Sequence, residues 1–335
     1  MSDKIRVLIV DDSTLMREAI KHILEQDPDI EIVGTAKDGK EGVEKALILK
    51  PNVITMDLRM PVMSGLDAIE NIMVEMPVPI IVVSSMDTEI IVKALSTGAL
   101  DFVAVASDIE TLASDLLLKV KVAARVRPLR RFKIKPCAIK ASRPAKKTGL
   151  SKIVAIGVST GGPQSLQELF SKIEPTFKAG ILVVQHMSKG FIVGLAEWLN
   201  STSCLHVQVA KAGDVLCDGL IMLAPDDYHV SINEDGVISL SENTSKAILH
   251  VPSIDVMMKS VAEAFKEDAI GLIMTGMGND GVDGIKAIKK SGGFTLAQDQ
   301  DTSVIFGMNK AAIEAGSVDR VVALGKIVEE LKRAL

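Results

Sequence analysis

Two consecutive α/β units are predicted, each a parallel β-sheet with helices on both faces. Three observations carry this prediction. Short apolar runs alternate with segments whose apolar residues recur at three- and four-residue spacing. Many of those runs are apolar at nearly every position, as strands buried on both faces must be. The alternation is interrupted once, near mid-chain, in a sequence of 335 residues that is too long for one average domain.

In the first half the runs IRVLIV, EIVGTA, NVITM, PIIVVS and DFVAVA are five candidate strands, and segments such as STLMREAIKHILEQ between them are helical in period. The interruption runs from Arg125 to Lys152 and carries eleven Lys or Arg and no acid. Pro128, Pro136 and Pro144 break it, so it reads as a linker. The whole chain has a net charge of −5, which leaves the folded parts acidic. No aromatic platform and no basic helix face accompanies the basic run, so nucleic-acid binding is not expected. After the linker, KIVAIGV, GILVVQH, AIGLIMTG and FTLAQ resume the strand pattern. Between about Leu205 and Leu240 the shorter runs LHVQVA, GLIMLA, HVSI and VISL are separated by GD, PDD and NEDG. These read as hairpin turns and predict an antiparallel β insertion in a doubly wound, mostly parallel sheet. The expected boundaries are 1–124, a linker at 125–150, and 151–335.

At 47% hydrophobic and 24% charged residues, the composition is that of an ordinary globular protein. No apolar run approaches the roughly 20 residues that span a bilayer, and MSDKIRVLIVDD lacks the basic start of a signal peptide. Cys137, Cys204 and Cys217 are widely spaced, so reduced thiols in a cytoplasmic protein are expected, with no zinc site.

In an open α/β sheet the reactive groups gather beyond the C-terminal strand ends. Asp11 and Asp12 end the first strand, Asp57 the third and Ser84 the fourth. Three carboxylates brought together suit a hard divalent cation such as Mg²⁺, beside which one carboxylate can accept a phosphoryl group. The bland reading makes DD a helix N-cap pair and Asp57 a solvated loop acid.

GVSTG in the second half fits G-x-S-x-G, a turn that lifts a serine hydroxyl between strand and helix. Alone the pattern is weak, since Gly and Ser suit any such turn. Ser159 would need a base. His22 belongs to the first helix, His206 lies in an alternating strand, and His229 and His250 sit at turns as surface groups. His186, at the end of GILVVQH, is the candidate, because an imidazole there can take and return the serine proton. IGLIMTGMGNDG ends another strand and offers Asp280 to orient that ring, with the Met277 N–H for an oxyanion. An α/β-hydrolase would run serine, acid, then histidine, making Asp226 or Asp227 with His250 the rival set. A binding module without catalysis is the other rival.

These motifs carry two resemblances. VDDS, MDLRMPVMSG, VVSS and GALDFV resemble the flavodoxin-like receiver domain of two-component response regulators over residues 4–122. The resemblance implies Asp57 as phospho-acceptor, Mg²⁺ held by Asp11, Asp12, Asp57 and the Arg59 carbonyl, Ser84 as switch hydroxyl and Phe102 as switch aromatic. Receivers normally carry Lys-Pro after the last strand, where Val105 and Ala106 stand here, so weak coupling of phosphorylation to activity is expected. IGVSTGGPQ, VVQHM, PSIDVM, LIMTGMGNDG, AQD and FGMNKAAI resemble the chemotaxis protein-glutamate methylesterase (CheB) family over 151–335, with Asn309 where proline is usual. That resemblance implies a serine hydrolase removing methyl esters from glutamates of methyl-accepting chemoreceptors, some relatives also deamidating glutamines. By it Ser159 is nucleophile, His186 base and Asp280 its partner, Thr160 and Met277 assist, and the ester chemistry takes no cofactor. The implied partners are a chemotaxis histidine kinase (CheA type) and the chemoreceptors, without membrane insertion.

Overall fold

The computed structural model describes residues 4–84, 88–105, 109–126, 150–243 and 250–335. The chain falls into two units, Met1–Lys133 and Ile134–Leu335. Residues 127–149, nearly all of the expected linker, lie outside the described residues, as do Ala106 and Cys137.

The first unit runs β1 (Ile5–Val10), α1 (Thr14–Leu24), β2 (Ile30–Ala36), α2 (Gly39–Leu49), β3 (Val53–Met56), α3 (Gly65–Glu75), β4 (Ile80–Ser84), α4 (Thr88–Thr97), β5 (Asp101–Ala104) and α5 (Ile109–Ala123). All five strands pair in parallel, in the order β2-β1-β3-β4-β5. Val7 and Ile9 face a core built with Ile20, Ile23 and Leu24 of α1 and Leu116 and Val120 of α5. The helices start where side chains take their free amides: Ser13 accepts from Met16, Asp38 from Glu41 and Ser64 from Asp67.

Val62 departs from this economy. It sits at φ 66°, is 81% exposed, and is spanned by a hydrogen bond from the Met63 N–H to the Pro61 carbonyl at 2.7 Å. A β-branched residue is strained in that left-handed region. Val62→Gly is therefore expected to stabilise the first unit by about 0.5–1 kcal/mol, the relief of roughly 1–2 kcal/mol exceeding the entropy cost of glycine. A rise in its urea midpoint at constant m checks this.

The second unit runs β6 (Ile153–Val158), α6 (Gly162–Ser171), β7 (Gly180–Gln185), α7 (Ile192–Thr202), β8 (His206–Val209), β9 (Leu220–Leu223), β10 (His229–Ile232), β11 (Ile238–Ser241), α8 (Ile254–Phe265), β12 (Ala269–Ile273), α9 (Val282–Lys290), β13 (Phe294–Gln298), α10 (Met308–Glu314), β14 (Arg320–Val322) and α11 (Ile327–Ala334). Seven strands pair in parallel in the order β14-β13-β12-β6-β7-β9-β8. Alternate residues of β6 serve opposite layers. Val154, Ile156 and Val158 pack with α6, α7 and α11, whereas Ile153 and Ala155 pack with α8, α9 and α10.

Two expectations are corrected here. Of the four short runs read as an antiparallel insertion, only β10 and β11 form an antiparallel pair, around the NEDG turn. LHVQVA and GLIMLA supply β8 and β9, which join the main sheet in parallel. The physical reason lies in β9: it is buried along its whole length between β7 and β8, and an unbroken apolar run is the mark of a covered parallel strand. Residues 210–219 carry the chain back to start it, so GD there is no hairpin. The second correction concerns cysteine. Cys204 is disulfide-bonded, against the expectation of three reduced thiols, and Cys217 is buried. Pairing depends on proximity in the fold, which sequence spacing does not report.

Candidate active site

The parallel pairing of the first unit brings the ends of β1, β3 and β4 to one edge. There Asp11 is buried and Asp57 half-buried. Burial above all pushes the Asp11 carboxyl up to about 6; the nearby charges of Asp57 and Asp12 add to this, and the Ser13 amide and Arg17 oppose it. Burial likewise raises the Asp57 carboxyl, against the amides of Leu58 and Arg59. Asp57 Oδ2 accepts the Arg59 N–H at 3.3 Å, and the Ser84 hydroxyl lies 3.4 Å from Asp57 Oδ1. Carboxylates that raise one another are short of positive charge, and their hard oxygens suit a divalent cation. Among the described residues no three acids already converge on one point.

Val105 follows β5 and contributes its N–H to the Ser84 carbonyl at 3.0 Å, with no charge. The Phe102 ring is buried, and the Lys119 ammonium stands 5.2 Å from its centre. Lys119 is committed to Asp101 and Asp115, at the opposite strand end from Asp57. Arg17, which the sequence reading passed over, donates to the carbonyls of Asp11 and Asp12 at 2.7 and 3.0 Å.

In the second unit β12, β6 and β7 are neighbours, so Asp280, Ser159 and His186 emerge along one edge. The chain leaves β6 toward β7 and later returns to β12 on its other side, the switch point at which open sheets hold their ligands. Ser159 is held by its backbone: its N–H donates to the Thr275 carbonyl at 3.0 Å, and its carbonyl accepts the Gly162 N–H at 2.8 Å. Gly161, at φ 77°, makes the turn, and a Cβ there would come within 2.4 Å of Val304.

His186 Nε2 meets Asp280 Oδ2 at 2.9 Å. An imidazole hydrogen-bonded to a carboxylate carries its proton on that nitrogen, which leaves the lone pair on Nδ1. Among the described residues the Ser159 hydroxyl makes no hydrogen bond with His186. Asp280 also accepts from Ser253 Oγ at 2.9 Å and from the amides of Ile254 and Asp255 at 2.8 and 3.1 Å, at the N-terminus of α8. Burial alone would raise its carboxyl; the His186 hydrogen bond and those amides outweigh it and hold it at about 2. Asp255 returns the arrangement, accepting the Gly281 and Gly284 amides at 3.0 and 2.6 Å at the start of α9. The N–H groups of Thr160 and Met277 have no acceptor among the described residues.

A family model for the CheB methylesterase matches residues 154–331. The chain belongs to the CheB methylesterase family. The response regulator receiver domain model matches residues 7–116. The chain is 43% identical to a Pyrococcus abyssi protein named protein-glutamate methylesterase/protein-glutamine glutaminase, over 99% of this chain and 94% of that one. It is 41% identical to a Thermotoga maritima protein of the same name, over 99% of both. The crystal structure of the Thermotoga maritima CheB methylesterase catalytic domain matches with a TM-score of 0.53 and 40% identity, covering 55% of this chain and 99% of that one.

His250 is exposed, as expected of a turn residue, and its ring stacks on His186 with centroids 4.4 Å apart. Burial, then the charge of His186, lowers its pKa. His229 is buried, not at the surface. Asp226 accepts the Gly190 N–H at 2.7 Å and so braces the loop after His186; it does not form a pair with His250. Gln185, quoted in VVQHM without a role, donates from Nε2 to the carbonyls of Ser159 and His186 at 2.9 and 2.7 Å. It ties the two strand ends together, and its place directly before His186 at the end of a buried strand was the available signal.

Proposed function

We propose that this chain is a serine hydrolase that removes methyl esters from glutamate side chains of chemoreceptors and deamidates receptor glutamines, under control of its receiver. The observation that carries the reading is the His186–Asp280 hydrogen bond, which leaves Nδ1 as the basic nitrogen on the strand edge where Ser159 stands. Family membership supplies the substrate class. Ser159 Oγ attacks the ester carbonyl and its proton passes to His186 Nδ1. The oxyanion takes the free N–H groups of Thr160 and Met277. The C–O bond to the methoxy group breaks, and Nδ1 returns the proton to release methanol. Water, deprotonated by the same nitrogen, then attacks the acyl carbon; the bond to Ser159 Oγ breaks, Nδ1 returns the proton to that oxygen, and the glutamate carboxylate is freed.

In the receiver Asp57 is the phospho-acceptor, with Ser84 and Phe102 as switch residues. A cation held by Asp11, Asp12, Asp57 and the Arg59 carbonyl, Mg²⁺ by the usual preference of such oxygen donors, would neutralise charge on phosphoryl oxygens. The phosphoryl source is a chemotaxis histidine kinase, and the compartment is the cytoplasm; no helix among the described residues is long and apolar enough to cross a membrane. Val105 brings no ammonium to the phosphoryl group, a contact worth about 1.5–3 kcal/mol, so coupling is weak. Residues 125–150 join the two units as a linker.

Methanol release from methylated chemoreceptors tests both halves. Wild type is expected to release methanol and Ser159→Ala none. A phosphoryl donor is expected to raise wild-type release slightly and Val105→Lys release strongly. Equal stimulation of the two would contradict the weak-coupling reading, and release by Ser159→Ala would contradict the esterase.

A further inference from the structure

His229 is buried at the start of β10 and has no part in the chemistry above. Its Nδ1 accepts the Ser253 N–H at 3.1 Å. With Nδ1 accepting, the proton of the neutral ring lies on Nε2. That atom is buried and has no partner among the described residues. A buried donor left unpaired is costly, and an apolar side chain would fill the same space without that cost. The ring is therefore explained by its acceptor, not by its packing. Ser253 Oγ in turn donates to Asp280 Oδ1 at 2.9 Å, and Asp280 Oδ2 holds His186. Asp226, three residues before His229, accepts the Gly190 N–H and braces the loop after His186.

We propose that His229 is a positioning residue for the hydrolysis, fixing Ser253 and, through it, the Asp280 carboxylate that orients His186. This rests on the proposed esterase reading. A second bond joins the same hairpin to α8, from the Ile232 N–H to Ser260 Oγ at 3.2 Å, and it leads nowhere near Asp280. That bond is the internal control.

The test uses the full chain. His229→Leu removes the acceptor, and kcat for methanol release is expected to fall by about 10- to 100-fold with KM unchanged. His229→Asn, whose Oδ1 can accept in place of Nδ1, is expected to restore most of the wild-type kcat. Ser260→Ala is expected to lower Tm without lowering kcat. The ¹⁵N shifts of the His186 ring supply a second readout that needs no substrate. They are expected to show one tautomer, protonated at Nε2, in wild type and His229→Asn, and a mixture in His229→Leu. Wild-type kcat and tautomer in His229→Leu would overturn the proposal, and so would a kcat loss in Ser260→Ala equal to that of His229→Leu. If wild type released no methanol, the esterase reading would fall while the tautomer signature still decided the role of His229.

Discussion

Asp280→Asn is expected to lower kcat for receptor demethylation by about 10⁴-fold, the scale seen when a base is left in the wrong tautomer. The carboxylate takes four donors: His186 Nε2, Ser253 Oγ and the amides of Ile254 and Asp255. An asparagine has one oxygen to offer, so its NH₂ must face donors that need an acceptor. The ring of His186 then loses the partner that keeps its proton on Nε2, and Nδ1 no longer stands ready as a base. The same change removes a negative charge from the N-terminus of α8. Steady-state kinetics on methylated receptors reads the first effect, and thermal unfolding of the second unit the other. The sign of the pH dependence follows from the carboxyl being held at about 2 against an ordinary 3.8. A depressed pKa adds stability that is complete above about pH 4 and is lost as pH falls through the folded value. Wild type and Asp280→Asn should therefore differ most near neutrality and converge toward pH 2. A stability difference that grew on acidification would refute this account.

Gly276→Ala is expected to lower kcat by about 100-fold, the cost of displacing a reacting group by roughly 1 Å. A Cβ at Gly276 would lie 2.5 Å from Met308 Sδ, 2.7 Å from Ser159 Cβ and 3.2 Å from Ser159 N. The thioether of Met308 can swing aside. Ser159 cannot, because its own backbone is bonded to Thr275 and Gly162, so the nucleophile itself must shift. Overpacking of this kind also destabilises, by about 1–3 kcal/mol. The double variant Gly276→Ala/Met308→Ala separates the effects: the space left by the thioether should not recover kcat. Recovery of kcat would mean that Met308, and not Ser159, absorbs the added methyl.

The positions of the candidate site residues at strand ends are legible in the sequence. Asp11, Asp12, Asp57, Ser159, His186 and Asp280 all stand at the ends of apolar runs, and parallel strands deliver their C-terminal ends to one edge. That rule needs only the strand assignment, which apolar periodicity supplies. Glycine around Ser159 marked a tight turn for the same local reason. Periodicity failed at β8 and β9, where short connections looked like hairpins, and at the three-residue edge strand β14, too short to carry a pattern.

The sequence by itself determined that there are two parallel α/β units, with acids at the strand ends of one and a serine, a histidine and an aspartate at those of the other. Only the tertiary structure decided which strands are neighbours, which nitrogen of His186 faces Asp280, and that Asp280 and Asp255 each cap the other's helix. It also decided that His250 stacks on His186, that His229 is buried beneath Ser253, and that Cys204 is bonded. The division is physical. Strand and turn propensities act over a few consecutive residues and leave a local pattern. A hydrogen bond between residues 94 apart, as from His186 to Asp280, is chosen by the packing of the whole unit and leaves none.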